Sequence, residues 1–468
     1  MERFNATISS RILDLQLDPQ RPLALQECEQ IALRNNLAYR VKLLETRLQD
    51  DEVRLAFSRA LPEVTAEFKK TRRSNEPLVS GQSGGTFSFE DIEVDRFNIR
   101  ALIPIFDFGS TYFAYQMAKD RRVQERLAAV RARQLLLRDV RVSYARFASA
   151  IRQERLARAA VEAAKDALNV SRSLEREGLA ARSDTAFVEA GLAQADLEWT
   201  MAKRLMLETR SRLSNTMSVT TWTEYMVQDS SASSPPMPTL EKVKELEQIA
   251  LRLRPELWSQ DLERHIAANN VRRSVAAFFP HIGGNADFDW TSISTQVNPA
   301  YFTFGFTVGQ TLLDGTSRIW QHKLAKGQEA TASERALLTA MGVLFEVDFR
   351  ILQLIRAHDT LDARRRVVTS QESLLKLIQS RHRENLESGA NVARALADLR
   401  EAQRSLDQSE TDYLVAWYEL NAAALADEQK DPEAQAEALP PVENEPADKT
   451  TPGKPSLQKR RLDKEEEE

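Results

Sequence analysis

Five histidines (His265, His281, His322, His358 and His382) and one cysteine (Cys28) are the side chains of this 468-residue chain best suited to bind a metal or attack a substrate. Their placement supports neither, because none falls in a hydrolytic or metal-binding motif. His358 stands seven residues after Ile351 and reads as a seam residue with a polar tip at a helix contact. A single cysteine excludes an intrachain disulfide and a cysteine cluster. Leu25-Gln26-Glu27-Cys28 also lacks the small residues of a lipoprotein cleavage site, so Cys28 reads as a half-buried helix residue. Nothing resembles a phosphate-cradling glycine loop. No enzyme activity, cofactor or metal is expected.

With chemistry set aside, the elements carry the information. The 64 basic and 69 acidic residues are mixed along most of the chain, which speaks against a nucleic-acid partner, whose binder would carry a basic face or arm. A hydrophobic content of 42% with 28% charged residues fits a folded protein, and scarce Gly and Pro favour helix. No stretch reaches the roughly 18 apolar residues of a transmembrane helix. Met1 to Gln20 lacks the apolar core of a secretory leader, since Arg11, Asp14 and Asp18 interrupt it.

The chain repeats itself. Glu29-Gln30-Ile31-Ala32-Leu33-Arg34 recurs as Glu247-Gln248-Ile249-Ala250-Leu251-Arg252, an offset of 218 that also carries Leu61-Pro62 onto Phe279-Pro280. Phe106-Asp107-Phe108-Gly109-Ser110 resembles Leu313-Asp314-Gly315-Thr316, and Gly178 resembles Gly389. Each half then reads as helix, Pro-marked break, strand, loop, strand, Asp/Gly break, very long helix, Gly turn and helix. The expected organisation is an extension at 1–22, a first repeat at 23–217, a linker at 218–239, a second repeat at 240–426 and a tail at 427–468. The Ser/Pro-rich linker reads as a solvated or irregular crossing. The Pro, Glu and Lys-rich tail reads as disordered.

Ser110 to Glu177 holds neither Pro nor Gly, and Val123, Val130, Leu137, Tyr144 and Ile151 recur at sevens, a coiled-coil period. At 1.5 Å per residue this helix would run roughly 100 Å. Thr316 to Ser388 repeats the pattern with Leu337, Leu344 and Ile351 in one phase and Leu361, Val368 and Leu375 in another. The many charged residues of these helices read as solvated faces and cross-helix pairs.

After Pro62 the period falls to two. Val64, Ala66 and Phe68 alternate with Glu63, Thr65, Glu67 and Lys69, and the return strand sets Phe97, Ile99, Ala101, Ile103 and Ile105 against Arg96, Asn98 and Arg100. Ser80 to Gly85 reads as an exposed loop between them. In the second half Ile282, Ala286, Phe288 and Trp290 oppose Gly283, Asn285, Asp287 and Asp289, and Phe302, Phe304, Phe306 and Val308 alternate with polar or small residues. Four strands of about ten residues have the length and the two-sided character of outer-membrane barrel strands. Phe68, Phe97, Ile99, Phe288, Trp290, Phe302, Phe304 and Phe306 are the expected lipid-facing residues. Alternation alone marks any half-buried antiparallel sheet, so a soluble sheet over a helical core is the other reading. In lipid, two hairpins would leave costly open edges, and closure would need other chains.

In order and duplication these features resemble the TolC-type family of outer-membrane efflux proteins, over about 23–426. The residues that carry the resemblance are Leu25 to Leu37, Leu61-Pro62 and Phe279-Pro280, Ile103-Pro104-Ile105-Phe106-Asp107-Phe108-Gly109, Gln310-Thr311-Leu312-Leu313-Asp314-Gly315, and the turns Arg176-Glu177-Gly178 and Glu387-Ser388-Gly389. Pro62, Pro280, Gly109 and Gly315 would bound the strands. The resemblance implies a mainly α fold with β: long coiled-coil helices and four membrane strands per protomer, three protomers forming a twelve-stranded barrel over a helical tunnel. It implies an outer-membrane location with helices in the periplasm, and a passive exit duct working with a periplasmic adaptor and an inner-membrane transporter. A soluble coiled-coil scaffold and a periplasmic adaptor are the alternatives.

The resemblance also points to a gate at the tips made by Gly178 and Gly389. The family carries acidic residues six and nine positions after the second glycine, where this chain has Ala395 and Asp398. Six after Gly178 is Asp184. Where the family has a basic residue two after the second glycine this chain has Asn391, with Arg394 the nearest donor. Repeated by threefold symmetry, Asp184 and Asp398 would give negative rings that favour cations. The plainer alternatives are a helix cap for Asp184 and a solvated helix position for Asp398.

Overall fold

The computed structural model describes residues 21–75, 77–80, 86–88, 91–178, 181–228, 235–310, 314–384, 386, 389–425 and 432–439. The first half runs α1 (Leu25–Asn35), α2 (Leu37–Ser58), β1 (Glu63–Arg72), β2 (Leu78–Ser80), β3 (Thr86–Ser88), β4 (Glu93–Phe106), α3 (Ser110–Arg176) and α4 (Arg182–Met217). The second runs α5 (Leu240–Leu253), α6 (Pro255–Ala276), β5 (His281–Thr291), β6 (Ala300–Gly309), α7 (Gly315–Arg383) and α8 (Gly389–Ala424), followed by α9 (Pro432–Glu437). The offset of 218 carries both ends of α2 onto those of α6 and the start of β1 onto the start of β5. The duplication is therefore structural as well as sequential.

The long helices form as their composition requires. α3 has 67 residues and α7 has 69, each about 100 Å at the helical rise. α3 starts at a tight break in which Phe108 and Gly109 both have positive φ, 55° and 87°. The Asp107 carboxylate accepts from Gly109 N at 3.1 Å and Thr111 N at 2.7 Å, satisfying amides that the new helix leaves free. At the other end Gly178 takes φ 73°, the left-handed conformation that ends many helices.

Two arrangements follow from the connections. Near the strands, α2, α3, α6 and α7 pack side by side in that order, α3 touching α2 and α6, and α6 touching α7. Each leads into or out of one strand of a four-stranded antiparallel sheet ordered β1-β4-β5-β6. Away from the strands, α3 folds against α4 and α7 against α8. Core clusters sit where the helices meet. Val140, Tyr144, Phe147, Leu213 and Met217 pack with Cys28 and Ala32 in the first half. Val347, Leu354, Leu361 and Leu420 pack with Leu246 and Ala250, the duplicates of Cys28 and Ala32, in the second. Leu354, Leu361 and Leu420 are almost wholly buried. Each is worth about 2 kcal/mol in apolar transfer.

Cys28 is fully rather than half buried. Burial, and then the Glu27 and Glu29 carboxylates, push its thiol up to about 12, so the reactive thiolate is scarce at neutral pH. The folded protein is expected to resist maleimide while the denatured chain is labelled; equal labelling rates would contradict this packing.

Several expectations need correction. Leu337, which opens the predicted seam of α7, is 63% exposed, whereas Ile351 of the same phase is buried together with Val343, Val347 and Leu354. α7 lies at the edge of the helical layer, next to α6, with Leu338, Met341, Phe345, Phe349 and Leu352 exposed along it. The described part of the linker is the irregular rather than the solvated of the two expected crossings. Leu23 pairs with Val227 in a parallel bridge, and Tyr225 is buried with its hydroxyl 2.9 Å from Ser214 Oγ. Apolar Val219, Tyr225 and Val227 outweigh the polar composition around them. Residues 229–234 lie outside the described residues. In the tail, α9 forms and packs on α3, with Ala436 and Leu439 joining Leu127 and Val130. The expectation of disorder does not hold for 432–439. The loop after β1 carries the short β2–β3 hairpin, with Ser80 in β2, while residues 81–85 lie outside the described residues.

Candidate functional site

The sheet register joins the predicted strand faces into one surface. Phe68 faces Phe97, which faces Trp290. Ala66, Ile99, Phe288 and Phe302 form the next row, and Val64, Ala101, Ala286 and Phe304 the next. Aromatic contacts cross the strands, with ring centroids 4.9 Å apart for Phe288 and Phe302 and 6.5 Å for Phe97 and Phe288. Despite these contacts Phe302, Phe304 and Phe306 are 70–78% exposed. A water-facing sheet would not carry so continuous an apolar patch.

From Phe97 to Ile105 the strand runs about 26 Å along its own axis, about 20 Å of height at the roughly 40° tilt of barrel strands, against a lipid-facing band of about 25 Å in outer-membrane barrels. At the hairpin end of this face Lys70 takes the next position after Phe68 and pairs with Glu93 at 2.7 Å. At its helix end Phe106, Phe108 and Phe279 cluster, Phe108 stacking on Phe279 at 4.6 Å. Beyond the hairpin end, Asp91 accepts from the amide and hydroxyl of Ser294 at 2.8 and 2.7 Å, which holds its carboxyl below the usual range and ties the two hairpin ends together.

The opposite face is polar and encloses a hollow of about 450 Å³. Asn98 Nδ2 donates to Asp289 at 2.7 Å, Arg100 Nε to Asp287 at 2.7 Å, and Asn285 Nδ2 to Asp287 at 2.6 Å. These bonds fix the polar row across strands from both halves. Pro62 and Pro280 fall just before β1 and β5, Gly109 precedes α3, and Gly315 is the first residue of α7.

The tip residues are separately placed. Asp184 is the third residue of α4 and exposed; Ala181, not Asp184, occupies the cap position. Asp184 sits where a helix dipole favours an acid. Gly389 opens α8 instead of occupying a left-handed turn, and residues 387 and 388 lie outside the described residues. Asn391, Arg394 and Asp398 are exposed, and no ion pair joins Arg394 to Asp398 among the described residues. Ala395 is buried with Val368, Leu375 and Leu399 in the α7–α8 seam. An acid there would be driven into that apolar contact, which explains why this position carries no charge.

One feature was not anticipated from the sequence. The two outer helices of the layer carry unpartnered apolar rows: Leu37, Val41, Leu44, Leu48 and Leu55 on α2, and Leu338, Met341, Phe345, Phe349 and Leu352 on α7. Their spacing of three, four and seven was readable, but it is masked by the stronger seam of each helix.

No helix among the described residues is long and apolar enough to cross a membrane, and no group of three potential metal ligands occurs among them. A two-repeat helical protein carrying an antiparallel sheet with one exposed apolar face is what these features define. The chain belongs to the outer membrane efflux protein family, whose sequence profile matches residues 29–218 and 246–424, one stretch in each repeat. No curated protein sequence matches it significantly. Among solved structures, the CmeC outer membrane channel of Campylobacter jejuni superposes with a TM-score of 0.75 at 14% identity, covering 89% of this chain and 90% of that one. A membrane protein from Pseudomonas aeruginosa gives 0.72 at 17% identity, over 86% and 93%. The outer membrane protein VceC of Vibrio cholerae gives 0.69 at 14%, over 86% and 95%. The likeness to these structures is one of fold, and the resemblance to TolC-type channels read from the duplicated motifs is borne out.

Proposed function

We propose that three copies of this chain close into a twelve-stranded barrel continued by a helical tunnel, and that the assembly is a passive exit duct. Energy would come from an inner-membrane transporter reached through a periplasmic adaptor. The observation that carries this reading is that both layers stop at open edges. Among the described residues β1 and β6 are unpaired on their outer sides, and α2 and α7 carry exposed apolar rows. Unpaired backbone in lipid costs several kcal/mol per group, so a sheet of four strands requires partners. A head-to-tail ring sets β1 of one protomer beside β6 of the next and α2 beside α7, satisfying both edges with one rotation.

Membrane fractionation followed by sizing in detergent tests the assembly: a detergent-dependent trimer in the outer membrane is expected, and a soluble monomer would sink the proposal. For the gate, the exposed carboxylates of Asp184 and Asp398 are proposed to ring the narrow end of the duct. Replacing both with Ala is expected to raise single-channel conductance or lessen cation preference in planar bilayers. Unchanged currents would remove them from the gate.

A further inference from the structure

We propose that Arg59, Arg121, Arg273 and Arg335 form a two-tier cationic belt that binds phosphate- or carboxylate-rich anions in the part of the tunnel next to the barrel. The belt rests on the channel reading only in placing this surface inside a closed lumen. The four side chains line one hollow of about 820 Å³. One face of each helix of the layer contributes to it, as Ala114, Met117, Ala118 and Arg121 do on α3 at helical spacing. The tail segment with Ala436 and Leu439 covers Val123, Leu127 and Val130 on the opposite face of α3, so the hollow opens on the uncovered side of the layer, the side that faces the lumen when the layer closes into a tube.

The charges there are unbalanced. None of the four guanidinium groups has an ion pair among the described residues, whereas Arg122 and Arg126 reach Asp50 and Arg264 reaches Asp261 elsewhere on α3 and α6. Among the described residues only Glu52 and Glu263 bring negative charge to the lining, and Glu263 accepts from Gln124 at 3.2 Å.

Cross-helix contacts set the heights. Gln124 reaches Ser259 O at 2.9 Å and Asn270 reaches Gln328 at 3.2 Å, which brings Arg121 and Arg335 level with Glu263. Phe57 lies against Tyr115 at 6.0 Å, which brings Arg59 level with Arg273. The tiers are therefore about 12–15 Å apart. In a trimer each tier presents six guanidinium groups. Arginine keeps its charge at any working pH and grips carboxylate or phosphate with two parallel bonds, so two such rings suit a solute carrying several anionic groups.

The test uses hexametaphosphate as probe on the full-length protein, by calorimetry in detergent and by block of current in planar bilayers. The wild type is expected to bind the probe and to be blocked. Arg59→Gln with Arg273→Gln, and Arg121→Gln with Arg335→Gln, are each expected to weaken binding about tenfold and shift the reversal potential toward cations, while the matching Lys variants bind within about threefold of wild type. A wild type that does not bind, Gln variants that bind unchanged, or Lys variants that fall as far as Gln would each overturn the belt. A protein that binds but never conducts overturns the channel reading and leaves the belt standing. A conducting channel indifferent to the probe overturns the belt alone.

Discussion

Phe304→Arg is expected to abolish assembly in the outer membrane, while Thr303→Arg, one residue away, is expected to be tolerated. Phe304 stands 77% exposed in the middle of the apolar face, opposite Ala286 and next to Phe302 in its own strand. Thr303 pairs with Asp287 on the polar face. Because side chains alternate, the two substitutions place the same charge on opposite sides of the sheet. A charge on the lipid side near the midplane costs about 2–4 kcal/mol, and a trimer would carry three, for about 6–12 kcal/mol in all. An arginine at 303 faces water and meets the Asp287 row. The measurement is the amount of heat-sensitive trimer recovered from outer membranes, with each variant's total expression as reference. Equal recovery of the two would mean that the apolar face is not buried in lipid.

Strand faces and duplication were the most legible parts of this chain. Two-residue alternation determines which side a residue takes once register is fixed, and every lipid-facing candidate from Phe68 to Phe306 falls on one surface. The helical periodicity was legible where a helix is packed on several sides, as at Val130, Tyr144 and Ile151 of α3, all buried. It misled at Leu337, where α7 lies at the edge of the layer and carries an exposed apolar row. Heptad counting cannot tell an internal seam from an edge awaiting another chain.

Composition decided less. Pro and Ser around 218–239 left a solvated or an irregular crossing open, and the apolar Val219, Tyr225 and Val227 decide for the irregular one by docking on the core. The same holds for α9, where Ala436 and Leu439 find a ready groove on α3. Tip residues were identified by counting from glycines, and counting gives no facing. Ala395 turns into the hairpin seam while Asp398, three residues on, stays exposed. The arginine belt lay beyond sequence reading altogether, because its members come from four helices whose relative heights only the packing fixes.

Arg254→Met is expected to destabilise the helical region by about 3–5 kcal/mol per protomer, the range for breaking one partner of a buried ion network. Arg254 occupies the junction between α5 and α6, with only 3% of its side chain exposed. Its Nε donates to Ala423 O at the end of α8 at 2.8 Å, and Nη1 lies 2.7 Å from Glu346 and 3.6 Å from Glu256. Arg131, from the other repeat, completes the group at 2.5 Å from Glu256. The duplicate position in the first half is Asn36, which caps α2 through Tyr39 N and donates to Thr216 O at the end of α4 at 2.9 Å. Both residues thus perform one task, tying the kink between two short helices to the end of a long one. Arg254 does so with a charge, and that charge supports Glu346: burial pushes its carboxyl up, but the Arg254 hydrogen bond and the Arg254 and Arg131 charges outweigh this and hold it below the ordinary value. A carboxyl lowered by folding contributes stability above its unfolded pKa and loses it as pH falls through the folded one. The wild type is therefore expected to lose stability as acid protonates Glu346, and Arg254→Met to show a flatter acid limb from a lower plateau. Denaturant midpoints by far-ultraviolet circular dichroism in detergent measure both, with Arg264→Ala, whose Asp261 pair is exposed, changing them by less than about 1 kcal/mol. Equal losses for Arg254→Met and Arg264→Ala would show that the network does not hold the two repeats together.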